Sequence, residues 1–453
     1  MDKEQNNYIF QILIHLVFGG LMFYVGVFPR LFFYLVVIYF LVRIIISPAP
    51  IKTFEILKAC AYMVGAEVLF RTTNGAIFYE ASKYLVILFV ILGVFYKGVS
   101  GKAYAYFIYL IALVPSVVVA SALIGFDANF RTNIAFVLSG PVCLGVAALY
   151  FYDKKVNQNQ LLEVLTHLSL PIVSMSVYVY LYTPRLEDVL TGTESNYATS
   201  GGFGPNQTAT ILGLGMFAFV VRFFLKSPGL LLKLFNVLIF GMIAYRAVIT
   251  FSRGGVVGAV IMIIAFMAIL YFRSNRKQKN HIISSFIILM LAVSTTWVIS
   301  SNRTQGLIDK RYSNQDARGR VNEDVTTGRV DLFIDELDGF LRSPFLGVGA
   351  SGMKEERIIQ GRRIVSHNEL SRVLSEHGIL GIFILLILLI KPLTYRTNNK
   401  GNYFFYAFMA FWFATINHSA MRIAAPGFIY ALALLNVIHE KRIIHRKRAI
   451  QNG

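Results

Sequence analysis

Residues 230–272 read "LLLKLFNVLIFGMIAYRAVITFSRGGVVGAVIMIIAFMAILYF", two long apolar runs joined by Ser252-Arg253-Gly254-Gly255. Each run is about the length that crosses the hydrocarbon of a bilayer as a helix. Neither alternates with a period of two, and in lipid only helices or closed barrels satisfy every backbone group, so helices are predicted. Similar runs recur along nearly the whole chain, in which 56% of the 453 residues are hydrophobic and only 15% are charged. The fold class that follows is an all-α polytopic membrane protein with about 12–14 transmembrane helices.

The spans are expected near 8–28, 31–47, 53–70, 84–96, 103–125, 134–152, 161–182, 207–225, 229–250, 256–272, 282–300, 372–391, 403–416 and 426–439. The first lacks a basic leader and a small-residue cleavage site, so it reads as a retained span. Cys60 and Cys143 both fall inside apolar runs, where they suit packing and build neither a disulfide nor a zinc framework. The net charge of +19 is gathered in every second connection: "KGVSGK", "DKK", "RSNRKQK", "KPLTYRTNNK" and the tail "EKRIIHRKR". By the positive-inside rule those connections and both termini are cytoplasmic. The basic charge therefore reports topology, and no nucleic-acid partner is expected.

Two connections on the other side stand out, 183–206 and the long polar segment 301–371, and they divide the chain into 1–206, 207–300, 301–371 and 372–453. The long segment carries as many acidic as basic residues, and a connection of this size is expected to fold. In "GRVDLFIDELDGFLR", Val330, Phe333, Ile334, Leu337 and Leu341 share one helical face, which would lie on the membrane surface or pack over the spans. "SHNELSRVLSEHGILG" predicts a helix with Ser366 as N-cap in a capping box with Glu369, running on into the next span.

Several residues then ask for a chemical reading. Arg253 lies at a span end, where an arginine either snorkels to the interface or, with the first amides of the following helix, binds an anion. Gly254 and Gly255 would let the chain turn sharply or another group come close. Arg246 is two helical turns earlier on roughly the same face. Arg329 opens the amphipathic helix, where a cation opposes the dipole and adds nothing to helix stability. His367, placed in the first turn of its helix, should have a lowered pKa and stay neutral, able to accept a proton. Glu376 and Arg372, four apart, are expected to pair. "SGGFGPNQT" (200–208), with Asn206, is similar to a glycine loop at a helix start but lacks the lysine of a P-loop. Arg422 would lie on the same side and could line the same cavity. Metal-ligand motifs are missing from that side, so a metal-free and cofactor-free mechanism is expected.

These pieces, in this order, resemble the O-antigen ligase and polymerase superfamily of bacterial envelope enzymes. The resemblance covers roughly the second half: "GGFGPNQT", "SRGG" at a span end, a large outer loop with "TGR", "SPFLGVG", and His367-Asn368 with Glu376 in "HNELSRVLSEHGILG". One position departs, since the aromatic four residues after the loop arginine is often Trp and is Phe333 here. The resemblance implies a GT-C-like membrane glycosyltransferase in the bacterial inner membrane, acting at the periplasmic face on a glycan donor carried by undecaprenyl diphosphate. It implies that Arg253 and Arg329 bind the diphosphate and that His367 acts on the acceptor hydroxyl, with Arg246, Asn206, Gly254, Gly255, Asn368, Glu376 and Arg422 in support. A ligase would use lipid A–core as acceptor, a polymerase another lipid-linked glycan, and a protein O-oligosaccharyltransferase a Ser or Thr hydroxyl. The rival class is a transporter or flippase for the same lipid-linked glycan, to which the internal arginines Arg43, Arg222 and Arg246 would be suited.

Overall fold

The computed structural model describes residues 3–124, 128–183, 185–322, 324, 326, 328–362 and 364–438. It is helical almost throughout. The first part contains α1 (Lys3–Tyr24), α2 (Phe28–Ile46), α3 (Lys52–Thr72), α4 (Ala81–Lys97), α5 (Tyr104–Ala112), α6 (Val114–Ile124), α7 (Ala128–Phe151) and α8 (Gln158–Tyr182). Then come α9 (Pro205–Leu225), α10 (Leu230–Ile249), α11 (Arg253–Arg273) and α12 (Arg276–Arg303). The long polar segment holds α13 (Leu307–Tyr312), α14 (Arg329–Arg342), α15 (Gly352–Ile359) and α16 (Glu369–His377). The chain closes with α17 (Ile379–Asn398), α18 (Phe405–His418) and α19 (Ala425–Ala433).

Among the described residues, ten helical segments are long and apolar enough to cross a membrane, which makes the chain an all-α polytopic membrane protein. The remaining expected spans, at α3, α4, α18 and α19, are helical too, but shorter or more charged. α3 is buried on nearly every side although it carries Glu55, Lys58, Glu67 and Arg71. Those charges survive burial because they are paired: Glu55 with Arg43 and Lys58 at 2.8 and 2.9 Å, and Arg71 with Glu67 and Glu80 at 2.6 and 3.0 Å. The span expected at 103–125 is divided into α5 and α6. The one expected at 426–439 is helical only to Ala433 and then forms a short strand, Asn436–Ile438, paired in parallel with Lys155–Asn157.

The basic connections meet at one end of the bundle. Lys154 donates to the carbonyls of Lys97 and Gly98 at 3.1 and 2.8 Å, and Tyr395 donates to Asp153 at 3.2 Å. The basic tail 440–448 lies outside the described residues. The opposite end collects the glycine-rich connection and the long polar segment, which touch where Thr193 donates to the Gln315 carbonyl at 2.9 Å. There α14 turns Glu336 and Gly339 inward against α16, while Ile334 (57% exposed) and Leu341 (67%) face away from the protein. An apolar face turned outward suits a helix lying in the membrane surface.

Helices pack closely through small residues, as membrane bundles do where apolar burial does not discriminate helix from lipid. At Gly65 of α3 an added Cβ would lie 2.1 Å from the Leu168 carbonyl oxygen of α8. Gly65→Val should therefore push α3 from α8 and cost about 1–3 kcal/mol or more. Thermal unfolding of the detergent-purified protein should show a clear drop for Gly65→Val. Gly20→Ala, at a site with nothing within 4 Å of the new Cβ, should leave the midpoint in place. Equal midpoints for the two variants would contradict this packing.

Candidate functional site

The connection from α10 to α11 turns at Phe251, which takes a positive φ of 59°, and α11 starts directly after Ser252. Gly254 and Gly255 are thus not the turn; they lie in the first turn of the helix. What they provide is proximity. A Cβ on Gly254 would meet the His418 ring at 2.2 Å, and one on Gly255 would meet Ala209 at 2.5 Å. α11 is seated hard against α18 and α9, and that seating fixes where Arg253 emerges. The Ser252 hydroxyl does not cap α11; it donates to Asn206 Oδ1 at 2.7 Å, tying α11 to the first turn of α9.

α13 lies over this turn through a reciprocal pair of contacts. Arg253 donates to the Arg311 carbonyl at 3.4 Å and to Asn314 at 3.5 Å, while Arg311 Nε donates to the Phe251 carbonyl at 3.1 Å. α14 begins at Arg329 after Gly328, which has a positive φ of 76°. Together these elements enclose a cavity of about 250 Å³ whose lining includes Asn206, Ser252, Arg253, Arg311, Arg329 and His367. Leu332 and Ile364 supply an apolar side, and among the described residues no carboxylate lines it. Burial and the nearby Arg253 charge lower the pKa of both Arg311 and Arg329, the signature of cations crowded together. The first turns of α9, α11 and α14 also end here, and their partial positive charges point the same way. By its chemistry such a lining can accept an anion with several oxygens, as a phosphate has.

His367 requires a correction. The N-cap of α16 is Asn368, whose Oδ1 accepts from the amides of Leu370 and Ser371 at 2.8 and 3.3 Å. Ser366 was expected in that role, but its hydroxyl turns to the Asn368 carbonyl, and Glu369 is drawn away to Arg372. His367 therefore precedes the helix and is not in its first turn. α16 also stops at Gly378, where a positive φ of 60° breaks it from α17, so the expected continuous helix is two helices. His367 is nevertheless held: its carbonyl accepts from the Ala420 amide at 3.1 Å. Its imidazole is pulled down to about 3, chiefly by burial and further by the Arg422 and Arg329 cations, so it is neutral at pH 7. Its Nδ1 is buried without a hydrogen-bond partner among the described residues.

The remaining expected residues are distributed. Asn206 lines the arginine cavity and a neighbouring one of about 330 Å³, and His367 and Ser195 line both. Arg422 lines the neighbouring cavity, where it donates to the carbonyls of Val365 and Ser366. Glu376 pairs with Arg372 at 2.5 Å and accepts from the Ser351 amide at 3.0 Å, so it braces the segment before His367 from outside the cavity. Arg246 does not reach the cavity lining; it is buried against the rings of Tyr180 and Tyr245, 4.5 and 5.1 Å from their centroids. Gly255 serves packing alone. Arg311 was not anticipated. "DKRYSNQ" carries no periodic or capping signal, and only the folding of α13 back over the turn at Phe251 brings this arginine to the site.

With this geometry in hand, comparison with known proteins is informative. Residues 235–386 match the family described as O-Antigen ligase. That stretch contains Arg253, Arg311, Arg329 and His367. A 133-residue stretch is 32% identical to an O-antigen polymerase of Salmonella muenchen, covering 28% of this chain and 32% of the relative. The chain thus spans about a third of the length of that curated relative.

The depressed His367 pKa has a consequence for stability. The folded state disfavours the protonated ring, so its contribution is complete above the unfolded value of 6.5 and is lost as pH falls from there toward about 3. Between pH 7 and pH 4 the melting temperature of the wild type should fall further than that of His367→Gln. Parallel curves in detergent would contradict a buried neutral imidazole.

Proposed function

We propose that this chain, whose residues 235–386 match the O-Antigen ligase family, moves a glycan from undecaprenyl diphosphate to an acceptor hydroxyl at the periplasmic face of the bacterial inner membrane. The observation that carries this reading is the convergence of Arg253, Arg311 and Arg329 with a neutral His367 in one cavity. The periplasmic assignment rests on the basic connections at the opposite end of the bundle.

In the reaction, the acceptor oxygen attacks the anomeric carbon while His367 accepts the hydroxyl proton. The bond from that carbon to the phosphate oxygen breaks, and undecaprenyl diphosphate departs with one additional negative charge. A single displacement of this kind inverts the anomeric configuration. The three guanidiniums stabilise the growing charge on the leaving diphosphate, and arginine suits the task because its planar fork grips phosphate oxygens and its charge persists. Each well-placed cation is worth about 3 kcal/mol of barrier, by analogy with a lost oxyanion donor. Leu332 and Ile364 border the cavity, and the outward apolar face of α14 extends from its rim as a bed for the polyprenyl chain. Lipid A–core, a second lipid-linked glycan and a Ser or Thr hydroxyl are all compatible with this chemistry, and the family match favours the first two.

Purified protein supplied with a lipid-linked donor and each acceptor tests the reading. His367→Ala and Arg253→Ala should abolish transfer while inserting at normal levels, and Arg311→Ala should lower the rate by about 10²–10³. Normal product from His367→Ala or Arg253→Ala would remove that residue from the mechanism, and product from Arg311→Ala at the wild-type rate would remove the third cation.

A further inference from the structure

Beside the arginine cavity lies the second chamber, and its chemistry differs. Its walls are rings: Tyr79, Phe136, Tyr197 and Phe203. Tyr79 and Phe203 stand 6.2 Å apart at an interplanar angle of 39°. Tyr79 is 47% exposed, although Arg71 covers one face of its ring, and Tyr197 is 66% exposed, so ring surface of both is open to a ligand. Between the rings stand the planar polar groups of Asn206, Gln207 and Arg422. At about 330 Å³ it falls within the range of small-molecule sites, about 300–1,000 Å³. The two chambers share Asn206, Ser195 and His367, so the imidazole stands on the boundary between them.

The walls of this chamber are held by a buried ionic network that the proposed reaction does not use. Arg71, paired with Glu67 and Glu80, donates from Nε to the Tyr79 carbonyl at 2.9 Å and from Nη1 to the Arg422 carbonyl at 3.1 Å. Its guanidinium also lies 4.1 Å from the centre of the Tyr79 ring. Lys83 joins the same carboxylate of Glu80 at 2.5 Å and donates to Ser139 at 2.8 Å. One buried guanidinium thus sets the position of an aromatic wall and of the Arg422 backbone together. Rigid placement of this sort lowers the cost of ordering a site when a ligand arrives.

We propose that the aromatic chamber binds a sugar ring of the acceptor and presents its hydroxyl to His367. The proposal rests on the glycan-transfer reading and names the acceptor's site within it. A pyranose has one face of C–H groups, which meets the electron-rich face of an aromatic ring, and an edge of hydroxyls, which takes hydrogen bonds from amide and guanidinium groups. A diphosphate gains nothing from four aromatic rings. A hydrocarbon chain gains nothing from Asn206, Gln207 and Arg422, whose burial beside it would cost desolvation. With the diphosphate among the arginines and the acceptor sugar among the rings, leaving group and nucleophile would come from two adjoining chambers that share His367.

The test uses the full chain in detergent with two probes: oligosaccharide released by mild acid from the host's envelope glycan, and inorganic pyrophosphate. Binding of each is measured by calorimetry for the wild type and for Tyr197→Ala, Phe203→Ala, Tyr197→Phe and Phe203→Trp. The alanine variants should weaken oligosaccharide binding at least tenfold and leave pyrophosphate binding within about twofold, while the ring-retaining variants bind both probes as the wild type does. In transfer assays the KM for the acceptor should rise in the alanine variants with the donor KM unchanged. Oligosaccharide binding unaffected by loss of either ring, or absent from the wild type, would overturn the proposal, as would equal losses in the ring-retaining and alanine variants. Oligosaccharide binding that follows the rings in a protein that transfers no glycan would uphold the site and sink the transfer reaction.

Discussion

Concentrated positive charge in a confined cavity is the constraint around which this molecule is organised. Arg253, Arg311 and Arg329 converge where the first turns of α9, α11 and α14 also end, with no lining carboxylate among the described residues. Cations brought together in this way repel, and a chain free to relax would separate them. The surrounding structure prevents that. α11 is held by the approach of Gly254 to His418 and of Gly255 to Ala209. α13 is held by the exchange of contacts between Arg311 and the turn at Phe251. α14 is anchored from below, where Glu336 bonds to Arg357 at 3.1 Å and to the Ser371 hydroxyl at 2.5 Å.

The treatment of charge elsewhere in the same end of the bundle sharpens the contrast. Arg71, Arg357 and Arg372 are buried, and each has two carboxylates within ion-pair distance. Those arginines build walls. Among the described residues, no carboxylate lines the cavity that holds Arg253, Arg311 and Arg329. His367 sits between the two populations, its ring kept neutral by burial and by the cations of Arg422 and Arg329. In the proposed reaction the neutral ring has a nitrogen able to accept a proton, and the negative charge of a bound diphosphate would raise its basicity from the low value that burial and the cations impose.

Much of this was legible from the sequence because membrane helices announce themselves. The apolar runs, the basic connections and the break at Arg253 need only length, hydropathy and the cost of charge in lipid. The amphipathic helix at 329–342 followed from its period alone. What was hidden depended on contacts between distant segments. Arg311 carries no local signal, and Tyr79 and Phe136 lie far along the chain from the connection that carries Tyr197 and Phe203. Ser366 and Asn368 are both good caps, and local pattern favoured the one whose partner Glu369 is in fact taken by Arg372. Arg246 shared a helical face with Arg253 by spacing. The positive φ at Phe251 interrupts the helix between them, so spacing carried no information about their relative direction.

The central claim is that the three guanidiniums form the seat of a lipid diphosphate beside His367. A cryo-electron microscopy structure of the full chain in a lipid nanodisc with undecaprenyl diphosphate bound addresses it most directly. Both phosphates should appear within about 4 Å of guanidinium nitrogens of Arg253, Arg311 and Arg329, with the terminal phosphate, which bears the glycan in the donor, turned toward the imidazole. Diphosphate density at any other place, with the arginine cavity holding only solvent, would contradict the account.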